Sequence, residues 1–403
     1  MTNPTNLELV KGFRDILPDE ALKREKVRQI ISETCKSYGF LPLETPTIEY
    51  EELVKGDNEL DEAVSTIYKL KDRAERKLAL RYEFTFQLSR LLIENSNIKL
   101  PLRRYQTGNV FRDEPIGVGR YREFTQFDID IVGDESIKTD AEILAVASEI
   151  FKKLGIKTEI VVNNRKLLNN IILSLGIENK EFVIREIDKI DKLGEDEVKK
   201  NLNKFIDKPT IIKLLSLLRK PLSYFSGKKF KGSEELKELE KICGVYGMKL
   251  KFSAKLARGL SYYTGNVFEV YSQDFKGSLA GGGRYNEKVG KTADKKIPAV
   301  GLALGFDRVC ELAKIKPEKI KCLIISIQQD EKAIKLAENL RKKDISCFVM
   351  YQISKALDYA NSLGIPYVIF LGKEEVKKKK IKLRDMKTGE EKMLGEKELI
   401  TSL

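Results

Sequence analysis

The sequence predicts a mixed α/β (α+β) fold divided among several domains, and three observations carry that expectation. With 403 residues, the chain exceeds the length at which one hydrophobic core keeps growing, so two or three domains are expected. Paired stretches of alternating apolar and polar residues, before residue 168 and again after residue 251, read as hairpin strands. The last stretch alternates strand and helix regularly, as a small α/β layer does.

Residues 18–37 place Leu22, Val27, Ile30, Ile31 and Thr34 at helical spacing, between the runs 12–15 and 38–40. An extended run over 41–46 follows, then a strand pair over 67–70 and 78–81 and a helix over 85–94. Alternation along Asn109, Val110 and Phe111, and again along Phe127, Ile129 and Ile131, marks two strands around a loop holding Pro115, Gly117 and Gly119. A helix over 136–154 and a strand over 158–162 complete a first block, 1–168. Residues 169–250 turn helical and rich in Lys and Glu, and read as an inserted helical domain. Strands return at 266–271, 278–280 and 300–304 before a helix over 305–313, forming the block 251–316 with the start of a charged linker, 314–321. The final block, 317–403, alternates strands at 322–327, 347–350 and 367–371 with helices at 331–342 and 354–363. The lysine run 377–380 reads as a solvated turn.

Composition excludes several function classes. The chain contains no histidine, so serine–histidine hydrolysis and histidine-ligated zinc chemistry are ruled out. Its five cysteines are scattered without a Cys-x-x-Cys pair, which signals neither a zinc site nor a disulfide framework. Lys and Arg total 74 against 61 Asp and Glu, a net charge of +13. That excess favours a polyanionic partner such as RNA, although abundant Lys and Glu also mark thermophile surfaces. No apolar run approaches a membrane span and the N-terminus is polar, so a cytoplasmic protein without a membrane partner is expected.

Chemistry must therefore run on arginines, carboxylates, tyrosines, metal ions and the substrate's own groups. The hairpin loop carries Arg112, Arg120 and Arg122, whose planar forks can clamp phosphate oxygens or stack on a ring. Glu114 suits an exocyclic amine and Phe124 a base face, while a solvated charged hairpin tip fits the same residues equally well. Arg258, Tyr262 and Tyr263 precede one strand edge. Gly281, Gly282 and Gly283 remove side chains where something approaches the backbone closely, which favours a ligand wall over a plain loop. The stretch 301–308 is a glycine-punctuated strand entering a helix whose first turn holds Arg308, an arrangement that suits the outer phosphates of a nucleotide.

Taken in order, these blocks resemble class II aminoacyl-tRNA synthetases, and specifically the histidyl-tRNA synthetase family. The segment 18–46 resembles motif 1, the run from Phe111 to Glu114 with its return strand resembles motif 2, and 301–308 resembles motif 3. The runs 258–263 and 282–285 resemble the two histidine-specific signatures, and 365–367 and 383–389 resemble the anticodon-binding domain. The resemblance covers essentially the whole chain and implies an antiparallel-sheet catalytic core, a helical insertion domain and a C-terminal α/β anticodon-binding domain. The motif wording looks more archaeal than bacterial.

The family's roles transfer position by position. Arg112 and Arg258 would be the catalytic pair on the α-phosphate of ATP, Arg258 taking a place that Mg²⁺ fills in sister enzymes. Glu114 would meet the adenine amine, Phe124 would stack on the base, and Arg308 would hold the terminal phosphate. Glu83, Thr85 and Gln126 would receive the amino-acid end of L-histidine, Asp130 and Tyr263 its imidazole nitrogens, and Tyr285 would close a pocket that Arg258 borders. The resemblance implies ATP and Mg²⁺ as substrate and cofactor, tRNA(His) as partner and a homodimer built through motif 1. It implies no protein side chain as metal ligand. Three positions depart from the family pattern: Ser261 and Asn286 stand where aspartate is usual, and Thr125 where an aromatic residue or histidine commonly precedes the glutamine. The competing reading is a catalytically silent synthetase-like protein, such as the regulatory subunit of ATP phosphoribosyltransferase, or a tRNA-sensing module.

Overall fold

Two ten-residue strands, paired from Leu102↔Val132 to Phe111↔Glu123, organise the larger part of the chain. They extend well beyond the alternation expected at 109–111 and 127–131, because Arg104, Gln106, Gln126, Asp128 and Asp130 fill the middle of one face of the pair with polar side chains. The computed structural model describes residues 7–55, 62–95, 97–117, 119–258, 262–287, 289 and 297–403. The chain forms two units, 1–315 and 316–403.

Among the described residues, the main sheet of the first unit has eight strands. Numbered along the chain, their spatial order is β1 (Leu41–Pro42), β5 (Leu102–Phe111), β6 (Glu123–Val132), β11 (Ala299–Gly305), β10 (Ser278–Arg284), β9 (Asn266–Tyr271), β7 (Glu159–Asn164) and β8 (Leu250–Phe252). Neighbours run antiparallel except the two outer pairs, β1 with β5 and β7 with β8. A small second sheet orders β2 (Ile48–Tyr50), β4 (Lys77–Leu80) and β3 (Lys69–Lys71).

One face of the main sheet is apolar. Tyr105, Phe127, Ile129, Ile131, Phe268, Val270, Leu302 and Leu304 pack with Ile143, Leu144, Ala147 and Ile150 of the helix Ile137–Lys153. Each such aliphatic or Phe side chain, fully buried, contributes about 1.5–3 kcal/mol. That helix starts where the Ser136 hydroxyl accepts from the Lys138 N–H, and ends with Lys152 and Lys153 against its negative dipole end.

Between Arg165 and Val245 seven helices follow one another: Arg165–Leu173, Lys180–Asp188, Ile190–Leu193, Glu195–Leu202, Lys208–Leu217, Leu222–Gly227 and Ser233–Val245. Asn164, Asn179 and Asp207 cap three of them through side-chain oxygens. Val183, Leu214 and Leu239 of this segment share one apolar cluster with the sheet's core face.

The second unit is a five-stranded sheet in the order β13 (Cys347–Met350), β12 (Cys322–Ser326), β14 (Tyr367–Leu371), β15 (Ile381–Asp385) and β16 (Glu391–Leu394). Cys322 and Ile324 face the helices Asp330–Arg341 and Glu396–Ser402, whereas Leu323 and Ile325 face the helix Ile353–Ser362. The β15–β16 hairpin and the final helix go beyond the elements expected from the sequence. Its turn is made by Asp385, whose carboxylate accepts from the Lys387 and Thr388 N–H groups, and by Gly389 at φ +76°.

Candidate active site

Strand alternation places Gln126, Asp128 and Asp130 on the face of β6 opposite its core residues. In register beside them stand Gly108, Gln106 and Arg104 on β5, and Gly305, Ala303 and Gly301 on β11. Gly281 and Gly283 on β10 and Glu269 on β9 continue this face. Small residues thus floor a depression that long polar side chains occupy. A Cβ at Gly301 would lie 1.8 Å from Asp130 Oδ1, one at Gly281 1.7 Å from Arg258 Nη1, and one at Gly283 2.8 Å from the Tyr263 ring. The glycine run is therefore strand, not loop. Gly281 does line a cleft, but the space a Cβ would take at these glycines is filled by the protein itself: Arg258 at Gly281, the Gly301 carbonyl at Gly282, and the Asn266 carbonyl and Tyr263 ring at Gly283.

That cleft is lined by Arg112, Glu114, Arg120, Phe124, Gln126, Arg258, Gly281 and Arg308, among others. Arg112 donates from Nε to the Tyr82 carbonyl at 3.1 Å, and its guanidinium lies 5.1 Å from the Phe124 ring centre. Arg308 donates to the Ser278 carbonyl at 2.9 Å. Burial lowers the Arg308 pKa, and the positive charges of Arg120 and Arg112 lower it further. Arginines that repel one another across a cleft are relieved by a bound polyanion. Arg122 instead braces the loop, pairing with Asp113 at 3.0 Å and donating to the Glu114 carbonyl at 3.3 Å.

A second cluster lies deeper. Glu83 accepts from Thr85 Oγ1 at 3.4 Å and from the Tyr262 hydroxyl at 3.2 Å. The Tyr285 hydroxyl donates to Asp130 Oδ1, while Arg104 Nη2 stands 2.7 Å from Asp130 Oδ2 as a fully buried ion pair. Arg104 also donates to Gln106, which donates to Thr45, which donates to Gln87, whose amide donates to Glu49. Gln126 donates to Asp128 at 2.8 Å. Burial and then the Asp130 charge push the Asp128 carboxyl up to about 8, against the pull of Arg104. Burial raises Asp130 as well, and Arg104 opposes that rise. The Arg104 guanidinium thus acts on two buried carboxyls and opposes the rise that burial imposes on each.

Asp307 ties the three long motifs together. It accepts from the Thr125 N–H at 2.7 Å, from Arg14 at 3.2 Å and from Arg24, whose other nitrogen donates to Thr125 Oγ1 at 2.9 Å. The helix Pro18–Ser37 is thereby joined to β6 and to the helix Phe306–Leu312.

Residues 12–309 match the family described as histidyl-tRNA synthetase, and residues 321–403 match the family described as anticodon binding domain. The chain belongs to the histidyl-tRNA synthetase family. Histidine–tRNA ligase 1 of Bacillus anthracis is 37% identical over 412 residues, spanning 95% of this chain and 96% of that protein. Histidine–tRNA ligase of Borreliella afzelii is 36% identical over 444 residues, spanning 98% and 97%. The crystal structure of histidyl-tRNA synthetase from Nostoc sp. PCC 7120 superposes with a TM-score of 0.86 at 27% identity, covering 99% of this chain and all of that one. A Bacillus halodurans structure described as ATP phosphoribosyltransferase regulatory subunit/histidyl-tRNA synthetase gives 0.78 at 25% identity, covering 92% and 99%. These relatives are bacterial, so the archaeal character expected from the motif wording finds no support.

Against the family pattern, the cleft gathers Arg112, Glu114, Phe124 and Arg308, and the deeper cluster gathers Glu83, Thr85, Asp130, Tyr263 and Tyr285. Gln126 and Arg258 line the cleft and also reach toward that cluster, through Asp128 and Tyr263. Arg104, Asp128 and Glu269 were not anticipated. Asp128 shares the period-two phase of Gln126 and Asp130 along β6, whereas the places of Arg104 and Glu269 on that face follow only from strand register. Of the departures from the family, Thr125 takes part in the Asp307 junction, and Asn286 accepts from Arg284 at 3.3 Å and from the Ala299 N–H at 3.2 Å. Ser261 lies outside the described residues.

Proposed function

We propose that the protein is a histidine–tRNA ligase, which activates L-histidine with ATP to histidyl-adenylate and transfers the histidyl group to the 3′ end of tRNA(His). The observation that carries this reading is a single hairpin, β5–β6, bearing both halves of the site. Arg112, Glu114 and Phe124 stand at its loop end, and Gln126 and Asp130 on its return strand. The names of the Bacillus and Borreliella relatives support the same activity.

In activation, a histidine carboxylate oxygen attacks the α-phosphorus of ATP and pyrophosphate leaves. Such a transfer needs little covalent help from protein; it needs in-line positioning and charge neutralisation. Arg112 and Arg258 face the α-phosphate, and Arg308 holds the departing end. Glu83 and Thr85 receive the α-ammonium, and Asp130 accepts an imidazole N–H. In transfer, the tRNA terminal hydroxyl attacks the histidyl carbonyl, its proton passes to an adenylate phosphate oxygen, and AMP leaves. No step requires an imidazole from a chain that has none. Mg²⁺, which the family resemblance implies, would enter with the ATP phosphates and help neutralise their charge there.

A pocket that hydrogen-bonds both imidazole nitrogens rejects apolar analogues by roughly 10⁴ to 10⁵ without editing. The helical segment is therefore free for another role, and we assign it to the tRNA acceptor stem and residues 317–403 to the anticodon, with the net charge of +13 favouring both. Exposed Leu7, Val10, Leu17 and Leu41 around motif 1 support a homodimer. Sedimentation at micromolar concentration should give twice the chain mass, and a monomer there would end that part of the reading.

The regulatory reading is less favoured, since the cleft keeps Arg112, Glu114, Arg258 and Arg308 together. Histidine-dependent exchange of labelled pyrophosphate into ATP decides between the two. The purified chain should catalyse it, and folded protein without exchange would remove the ligase reading.

A further inference from the structure

Arg258 is held in an unusual way. Its backbone stands at φ +55°, the left-handed region that side chains with a Cβ rarely enter, so its surroundings must hold it there. Its guanidinium lies against the backbone of Gly281, in the space a Cβ there would fill. Nη1 donates to Glu269 Oε1 at 2.9 Å, whereas Nη2 reaches the Tyr263 hydroxyl only at 3.5 Å. Glu269 is thus the principal anchor.

Glu269 is well placed for this. It sits on β9, an interior strand of the main sheet, in register with Gly281 on one side and Val161 on the other. Its second carboxylate oxygen accepts from the hydroxyl of Tyr271, two residues along the same face. Both oxygens are therefore engaged, and the side chains of Arg258 and Glu269 are each only 17% exposed. A guanidinium has five N–H donors in a fixed fork, so pairing Nη1 with Glu269 fixes its plane while leaving donors for a phosphate.

We propose that Glu269 is the positioning residue of Arg258, setting the guanidinium plane against Gly281 so that its remaining donors face the cleft. This rests on the histidine-activation reading and identifies what orients its central arginine. Glu269 touches neither substrate in this scheme and acts only through Arg258.

The test is a double-mutant cycle in steady-state pyrophosphate exchange on the full-length chain. Glu269→Gln should lower kcat by about 10- to 100-fold, with KM for ATP and for histidine within about threefold. Glu269→Asp, which keeps the charge, should retain more activity than Glu269→Gln. In the Arg258→Ala background, adding Glu269→Gln should cost less than about twofold, because the group it positions is gone. A loss as large in that background as in the wild-type chain, or wild-type kcat in Glu269→Gln, would overturn the proposal. If circular dichroism shows Glu269→Gln unfolded, Tyr271→Phe gives the same reading: a kcat drop of about three- to tenfold supports the proposal, and an unchanged kcat overturns it. Absence of exchange in the wild-type chain would remove the activation reading itself, whereas an active wild type with an unaffected Glu269→Gln removes only this inference.

Discussion

Arg258→Ala should lower histidine-dependent pyrophosphate exchange by about 10³ in kcat, as expected for an arginine that meets charge at a transferring phosphoryl group. The arginine lies over the glycine floor between Gln126 and Tyr263, where the α-phosphate must sit if the β5–β6 hairpin holds ATP at its loop and histidine on its return strand. An interaction made mainly in the transition state lowers kcat and kcat/KM together and leaves KM nearly unchanged. Arg258→Lys should recover little, because a lysine ammonium cannot hold Glu269 in the fork geometry and still present a second edge to phosphate. Removing the guanidinium leaves the largely buried Glu269 carboxylate with Tyr271, so thermal stability should fall as well. Histidine binding measured by calorimetry separates the two effects: a folded variant that binds histidine normally but activates it 10³-fold more slowly has lost the chemistry. Exchange near the wild-type rate would show that Arg258 does not face the α-phosphate.

Where the sequence was legible, the signal was local. The helices Pro18–Ser37 and Thr85–Glu94 coincide with their expected bounds, because apolar spacing within one element determined them. Strands β9, β13 and β14 were equally plain, since their apolar runs need no partner to be recognised. Gly281 to Gly283 misled for the opposite reason: glycine has little strand propensity, and β10 exists there because β9 and β11 flank it on both sides. The β15–β16 hairpin was hidden by Lys382 on β15 and by Glu391 and Lys392 on β16, the latter two being charges suited to a sheet edge. In the site, ordered motifs pointed to Arg112, Arg258 and Arg308, but Arg104, Asp128 and Glu269 carried no such mark. A charged residue in a strand reads as facing water. Only cross-strand register reveals that this face of the sheet is covered, and that its charges must then satisfy one another.

Arg104→Leu tests that last point. The wild-type arginine is fully buried, 2.7 Å from Asp130 Oδ2, on a strand face that also carries Asp128. Removing one partner of a buried ion pair typically costs about 3–5 kcal/mol, since the other charge is left uncompensated. The cost should depend on pH with a definite sign. Burial already raises both carboxyls and Arg104 pulls both down, so its loss must raise them further. A carboxyl whose folded pKa exceeds its unfolded value of about 3.9 favours the fold only while it can stay protonated. That contribution is complete below the unfolded pKa and is lost as pH rises through the folded one. The variant should therefore lie closest to wild type in acid, and the gap from Asp128 should open as pH rises above about 8, the wild-type value that the variant exceeds, in urea unfolding series at several pH values. A gap that does not change with pH would mean that Arg104 only fills space. Without its guanidinium partner Asp130 would hold negative charge less readily and accept an imidazole N–H more weakly, so KM for histidine should rise by about 10-fold or more, within the range of a hydrogen bond to a charged group. A stability loss without that rise in KM would place Arg104 in the fold but not in recognition of the amino acid, and would make Tyr263 the main imidazole contact.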